Sequence, residues 1–383
     1  VSDDGAAPPA APVTTASARR DRPAGMAAVA RLAGVSHQTV SRVLNEHPSV
    51  RPSTRERVLA AMVELDYRPN RLARALVTSR SGIIGVVTSG SARYGPSSTL
   101  MAVEEAARGA GFAANVTAVR EDDSEALATR MAQTLLSFDS QAVEGVIVIA
   151  PRVSTVEALQ TISSRAPLLL IAAGVAPSPR FGVVGVDQAQ GARAATAHLL
   201  ALGHTSIGHL AGPADWFDSR ERHRGWLEEL EHAGVTPGPV WEGDWTADVG
   251  YDVGRRLLAD PDRPTAVVAS NDQMALGLLR AFGEGGLDVP GDVSVTGFDD
   301  IEGTAHFRPP LTTVRQDFAA LGEAAMAEML RLIAERGGRA HAGADDGAAA
   351  GAGVGVGGVA PIPAELVVRS STGAAKPSSE QLL

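Results

Sequence analysis

Residues 29–45 read VARLAGVSHQTVSRVLN, and their spacing decides the fold of the N-terminal part of the chain. Met26, Val29, Ala30 and Ala33 fall at i, i+3, i+4 and i+7, one face of a helix that ends near Gly34. Ser36 can cap a second short helix, in which Val40, Val43 and Leu44 turn inward. His37, Gln38, Ser41, Arg42 and Asn45 then share the opposite, polar side. Two short helices joined by a glycine turn, the second exposing a polar face, make a helix-turn-helix. Gln and Arg near the start of such a helix can each bond a base edge twice in the major groove. A merely solvated helix face is the plain alternative. Downstream, Ser53-Thr54-Arg55-Glu56 has capping-box form and predicts a third helix with Val58, Leu59, Met62 and Leu65 as its inward stripe.

Charge supports a split chain. Residues 19–80 hold 12 Arg against 5 acids, a balance of +7, and residues 1–18 contribute −2. The whole chain carries −10, so residues 81–383 carry −15. A compact basic module followed by an acidic body is expected of a nucleic-acid reader joined to a part that does not touch nucleic acid. At 383 residues the chain needs two or three domains, and 44% apolar with 20% charged residues excludes a disordered one. With no cysteine, disulfides, thiolate catalysis and Cys-zinc sites drop out together. No window approaches a membrane span and residues 1–25 do not read as a secretory signal, so a cytoplasmic location with no membrane partner is expected. Residues 1–23 read as a disordered tail.

From residue 82 the period changes. Apolar runs at 82–88, 113–119, 145–149, 167–171, 181–186, 206–210, 266–269 and 292–296 predict strands. Helical patterns near 98–110, 124–138, 153–164, 188–202, 218–233, 247–259, 272–283 and 317–335 alternate with them. Such alternation implies parallel sheets covered on both faces, and its length favours two doubly wound lobes. Residues 336–360 are Gly/Ala-rich and read as a loop, followed by a strand near 364–368 and a polar tail at 374–383.

The stretch 29–45, continued by STRERVLAAMVELDYRPNRLARAL at 53–76, resembles the DNA-binding headpiece of the lactose/galactose repressor (LacI/GalR) family. The resemblance implies an all-α headpiece over 24–69 and a hinge helix and linker over 70–80. It makes His37, Gln38 and Arg42 base readers, and Ser36, Thr39, Ser41, Asn45, Thr54 and Arg55 phosphate or positioning contacts. In the hinge, Asn70 and Ala73 would meet DNA and Leu76 would wedge into the minor groove; packing on the next domain is the plain alternative for that leucine. Where the family has Thr and Asp at the start of its first helix this chain has Gly25 and Ala28, which removes a cap and an acid at a cost of about 1 kcal/mol.

The stretches VGVDQAQGARAATAHLLALGHTSIGHLAGP, GDWTADVGY, SNDQMALGLLRAFGEGG and SVTGFDDIEGTAHFRPPLTTVRQDF are similar to the same family's effector domain. They imply an α/β periplasmic-binding-protein-like body over 81–373, with a first lobe of about 81–185 and 316–345 and a second of about 186–315 and 361–373. Arg222, Asn271 and Asp299 supply groups that chelate sugar hydroxyls, and Trp245 and Phe318 supply aromatic faces. Each matches a ligand-contacting position of the family, as do Gln316 and Ser89. Where a sugar-inducible member has a polar or aromatic first-lobe wall, this chain is expected to place Ile149, Gly174 and Val186, with Arg93 at the mouth.

The expected partners are double-stranded operator DNA, a mono- or disaccharide effector and a second copy of the chain. The closing KPSSEQLL is too short and polar for a tetramerising coil, which favours a homodimer. The expected function is a sequence-specific regulator, a repressor of sugar-utilisation genes released by the sugar; corepressor-dependent or activating regulation is the alternative. A sugar receptor without DNA function would need export, and an enzyme would turn its ligand over. No cofactor and no metal are expected. His198, His204 and His209 have no helical metal spacing, and Asp299-Asp300 has no partner for acid/base work. Phosphate-binding loops and nucleophile elbows are missing too.

Overall fold

The computed structural model describes residues 25–44, 47–67, 80–120, 124–342 and 359–376. The chain forms two compact units, 1–79 and 80–383. The expectations for the N-terminal tail, for Asn45 and for Asn70, Ala73 and Leu76 lie outside the described residues.

The first unit contains α1 (Met26–Leu32), α2 (His37–Leu44) and α3 (Pro52–Glu64). Gly34 adopts φ +64, where a side chain would be strained, and so lets the chain reverse. The amides of Gly34 and Val35 return to the carbonyls of Arg31 and Ala30, which closes α1 with a Schellman turn. Ser36 Oγ accepts the amide of Thr39 at 3.1 Å and caps α2 as its sequence predicts. Gly25 gives α1 no side-chain cap, and its first turn holds no acid. Val29, Ala30, Ala33, Val40, Val43, Val58 and Ala61 form the core. Two expectations fail in α3. It starts one residue before Ser53, with Pro52 in its first turn and no side-chain cap, because proline is preorganised for that place. Leu59 is 48% exposed, and the inward stripe is instead Val58, Ala61, Met62 and Leu65, at true helical spacing.

The second unit holds two parallel sheets. The first has order β2-β1-β3-β4-β5, from β1 (Ile83–Thr88), β2 (Ala113–Ala118), β3 (Gly145–Ile149), β4 (Leu168–Ile171) and β5 (Phe181–Val184). Fully apolar β3 and β4 are buried on both faces, as central parallel strands must be. Helices α4 (Tyr94–Gly109), α5 (Ser124–Ser140) and α6 (Val153–Thr161) belong to this lobe. The chain then crosses into α7 (Gln188–Ala201), β6 (Ile207–Ala211), α8 (Phe217–His232), β7 (Val240–Glu242), α9 (Ala247–Ala259), β8 (Ala266–Ala269), α10 (Asp272–Glu284) and β9 (Ser294–Thr296). The second sheet has order β7-β6-β8-β9. An antiparallel pair, β10 (Thr313–Gln316) and β11 (Ala364–Val367), flanks α11 (Phe318–Ala342), which returns to pack on α4 and the first sheet.

Three features differ from expectation. Strands β7 and β10 were not foreseen: β7 has three residues and is mostly exposed, and β10 alternates too briefly to show a period. Helix α4 begins at Tyr94 instead of 98, with Gly95 and Pro96 in its first turn, where proline is tolerated. Helix α11 runs to Ala342, into the segment read as a loop from 336, while residues 343–358 lie outside the described ones.

Besides chain crossovers, a short clasp joins the lobes. The amide of Val153 donates to Asp215 O and that of Phe217 to Pro151 O, each at 3.0 Å. Between them Arg152 pairs with Asp215 at 3.3 Å and lies 5.8 Å from the Trp216 ring centre.

Helices α9 and α10 meet through glycine. A methyl group at Gly250 would overlap the carbonyl of Met274, and one at Gly277 the carbonyl of Ala247. Gly277→Ala is expected to cost about 1–3 kcal/mol in urea unfolding. Gly283→Ala, on the same helix with open space around it, should be neutral or stabilising by up to about 1 kcal/mol. Equal effects of the two would contradict this packing.

Candidate functional site

In the first unit, burial of Val40 and Val43 turns the other face of α2 outward. Ser36, His37, Gln38 and Arg42 are exposed, while Thr39 and Ser41 are half-buried. Among the described residues, the side chains of His37, Gln38 and Arg42 make no hydrogen bond, so their donors are available to a ligand. Ser36 and Thr39 bond each other as well as the cap. Arg55 is engaged within the unit, reaching the carbonyls of Val43 and His47 at 3.4 and 3.3 Å, and Thr54 lies half-buried beside it.

In the second unit the carboxyl ends of the two sheets face a common cleft, the place where open α/β sheets bind ligands. Asp218 and Arg222 stand one turn apart on α8, Asn271 follows β8 and Asp299 follows β9. Arg222 is buried, and its guanidinium donates to Gln188 Oε1 at 2.9 Å, to Asp299 Oδ1 at 3.0 Å and to the carbonyl of Ser270. It stacks 3.8 Å from the Phe298 ring centre and lies 5.6 Å from that of Trp245. Gln316 donates to Asp299 Oδ1 at 2.8 Å and accepts from Gln188 at 2.7 Å, which closes the ring of bonds. Burial pushes the Asp299 carboxyl up to about 6; Arg222 and the Gln316 amide draw it down, while Asp218 adds to the rise. Behind it, burial and the Asp299 charge hold Asp272 well above the usual carboxylate range.

The remaining expected residues are placed unequally. Trp245, at φ +74, lines the outer part of the cleft and meets Trp216 edge-on at 5.5 Å. Asn271 lines the same part, but its amide is engaged: Oδ1 caps α10 through the Met274 amide, and Nδ2 donates to Trp245 O. Phe318 lines the inner part, edge-on to Tyr94 at 5.7 Å. Ser89 lies outside both linings and accepts the Ser91 amide in a local turn. Ile149 and Val186 line the inner part and Arg93 the outer, but Gly174 does not: Ala172 and Ala173, directly after β4, take that wall.

Tyr94, Gln188, Trp216 and Asp218 also line the cleft and were missed. The i, i+4 spacing of Asp218 and Arg222 was the one available signal. The three histidines go to separate places. His198 bonds Thr372, His204 bonds Thr265, and buried His209 bonds Val268 O and stacks on Trp226. Burial lowers His209 to about 3, so it is neutral and structural. Asp300 turns away from Asp299 to Arg315 and Arg369. Among the described residues no cluster could hold a metal ion, and no helix is long and apolar enough to cross a membrane.

Residues 26–70 match the bacterial regulatory proteins of the lacI family, and residues 196–372 match the periplasmic binding protein-like domain. The chain is 38% identical over 312 residues to the lactose operon repressor of Escherichia coli (strain K12), covering 81% of this chain and 85% of that protein. It is 32% identical over 311 residues to the HTH-type transcriptional repressor PurR of Haemophilus influenzae (strain PittEE), covering 80% and 90%. A solved lac repressor dimer bound to operator and the anti-inducer ONPF superposes with a TM-score of 0.73 at 35% identity, over 92% of this chain and all of that one. The exposed polar helix, the two-lobed cleft and these likenesses agree: the chain belongs to the LacI family and is a DNA-binding transcriptional regulator, not an enzyme.

Proposed function

We propose that the protein is a repressor of sugar-utilisation genes that leaves a palindromic operator when a sugar binds between its lobes. The observation that carries the sugar assignment is the buried Arg222–Asp299–Gln316–Gln188 ring beside Trp245. Paired charge and amide groups chelate adjacent hydroxyls, and an indole covers the apolar side of a pyranose. Asn271 and Phe318 extend this set, and Ser89 joins it only if the turn after β1 shifts. The protein acts in the cytoplasm, where its operator is.

A headpiece over 24–69 presents His37, Gln38 and Arg42 to bases, with Ser36, Thr39, Ser41, Asn45, Thr54 and Arg55 holding register on phosphates. One such module binds weakly, so two copies read two half-sites as a homodimer through the body over 81–373. The 70–80 hinges meet on DNA, and Leu76, with Asn70 and Ala73, opens a central minor-groove step. Sugar binding alters how the lobes sit and separates the hinges, and operator affinity falls by the ligand's preference for that state. A ligand preferring the DNA-bound state would act as a corepressor, so the direction of its effect decides between the two modes.

Gln38→Ala and Arg42→Ala should each weaken operator binding by roughly ten- to a hundredfold while changing binding to unrelated DNA little. Gel-shift titration at fixed salt measures both, and an unchanged ratio would refute base reading by α2. For the cleft, Asp299 is ionised above about pH 6 and protonated below it. As an acceptor of sugar hydroxyls it predicts effector affinity that falls as pH drops from 7 to 5, with a flatter profile in Asp299→Asn. Its contribution to stability runs the other way. Its folded value lies above the unfolded one, so burying the charge costs stability above pH 6, and the cost is relieved as pH falls toward 4. Calorimetric titration and thermal melting across this range separate the two trends.

A further inference from the structure

The first lobe holds a second cavity, at the end of its sheet away from the cleft. Strands β4 and β5 border it with their first residues, Leu168 and Phe181, and reach the cleft only with Ile171 and Gly185 at their far ends. Each strand has four residues, so roughly 13 Å of sheet separates the two places. The cavity measures about 290 Å³, enough for a small organic molecule. Ile162, Pro167, Phe181 and Leu332 give it an apolar wall.

The polar groups around that wall are mostly donors. Arg180 comes from the loop before β5 and Arg336 from α11. Arg180 uses one N–H on the carbonyl of Ile162 at 3.3 Å, which leaves the rest of its guanidinium available. Among the described residues the Arg336 side chain bonds nothing. In the loop between α6 and β4, the main-chain amides of Ser163, Ser164 and Ala166 meet no acceptor among the described residues, although all three residues line the cavity. The acid of the lining, Glu335, is already held by Arg331 one turn back on α11.

Two guanidinium groups and a run of unpaired amides, with the nearby carboxylate neutralised, select an anion with several acceptor oxygens. A neutral molecule would leave the arginines unanswered. A bare inorganic ion would leave the apolar wall in water, whereas an organic body beside the charge would cover it.

We propose that this cavity binds a phosphate monoester of a compact, partly apolar alcohol. The phosphate lies between Arg180 and Arg336, and the organic part lies against Phe181 and Leu332. The site is separate from the Arg222 cleft, so the sugar reading of that cleft can fail without it.

The test is calorimetric titration of the full chain at low salt with phenyl phosphate, benzoate, inorganic phosphate and phenol. Phenyl phosphate should bind at least about tenfold more tightly than each of the other three. Arg180→Gln combined with Arg336→Gln, both in exposed side chains, should weaken it at least about tenfold. Arg222→Ala should leave it unchanged, and Asp299→Asn asks the same question should the alanine variant not fold. Inorganic phosphate binding as tightly as phenyl phosphate would overturn the inference, because charge alone would then explain the binding. Benzoate binding as tightly would overturn the assignment to phosphate. Binding that persists in the double glutamine variant would place the compound elsewhere and overturn the site, as would no binding of phenyl phosphate at millimolar concentration.

Discussion

Arg222 is the residue on which the second unit depends. One guanidinium ties α8 to the start of α7 through Gln188, to the end of β8 through Ser270 and to the loop after β9 through Asp299, while its flat face rests on Phe298. A buried ion pair of this kind is a poor source of stability, because desolvation offsets most of the Coulombic attraction. Removing one partner would strand the other charge. Such a pair fits a site that must hold fixed polar groups ready for a ligand, and the same burial pushes the Asp299 carboxyl up.

Trp216 links this site to the contact between lobes. It meets Trp245 in the cleft and lies under Arg152 in the clasp, whose backbone bonds join the segment after β3 to the segment after β6. A ligand touching the tryptophan pair therefore acts on the same segment that holds the lobes together. Charge divides the labour further: the basic module carries +7 and the rest −17, so the body is repelled by the phosphates that the headpiece seeks.

Much of this was legible in the sequence, for physical reasons that differ by site. The headpiece was readable because its signals are local: apolar spacing, a Ser36 cap and a glycine that must take positive φ. Arg222, Asp299 and Gln316 were readable through their motifs, and the structure brings them within bonding distance of one another. What stayed hidden depends on distant packing. Nothing near Asn271 shows that its amide is already engaged by Met274 and Trp245, and nothing in ADWFD shows that Trp216 and Asp218 face a cleft. Leu59 misled because a leucine at a plausible helical step carries no mark of exposure, and β7 because three residues carry no period.

On the proposed reading, a ligand in the Arg222 cleft controls the grip of α2 on DNA. Fluorescence anisotropy of the full chain on a labelled fragment from upstream of its own gene, with mono- and disaccharides and aryl glycosides added in turn, tests it most directly. Tight, salt-sensitive binding that one sugar compound releases is expected, with no release in Arg222→Ala. Operator binding that no such compound alters would contradict it.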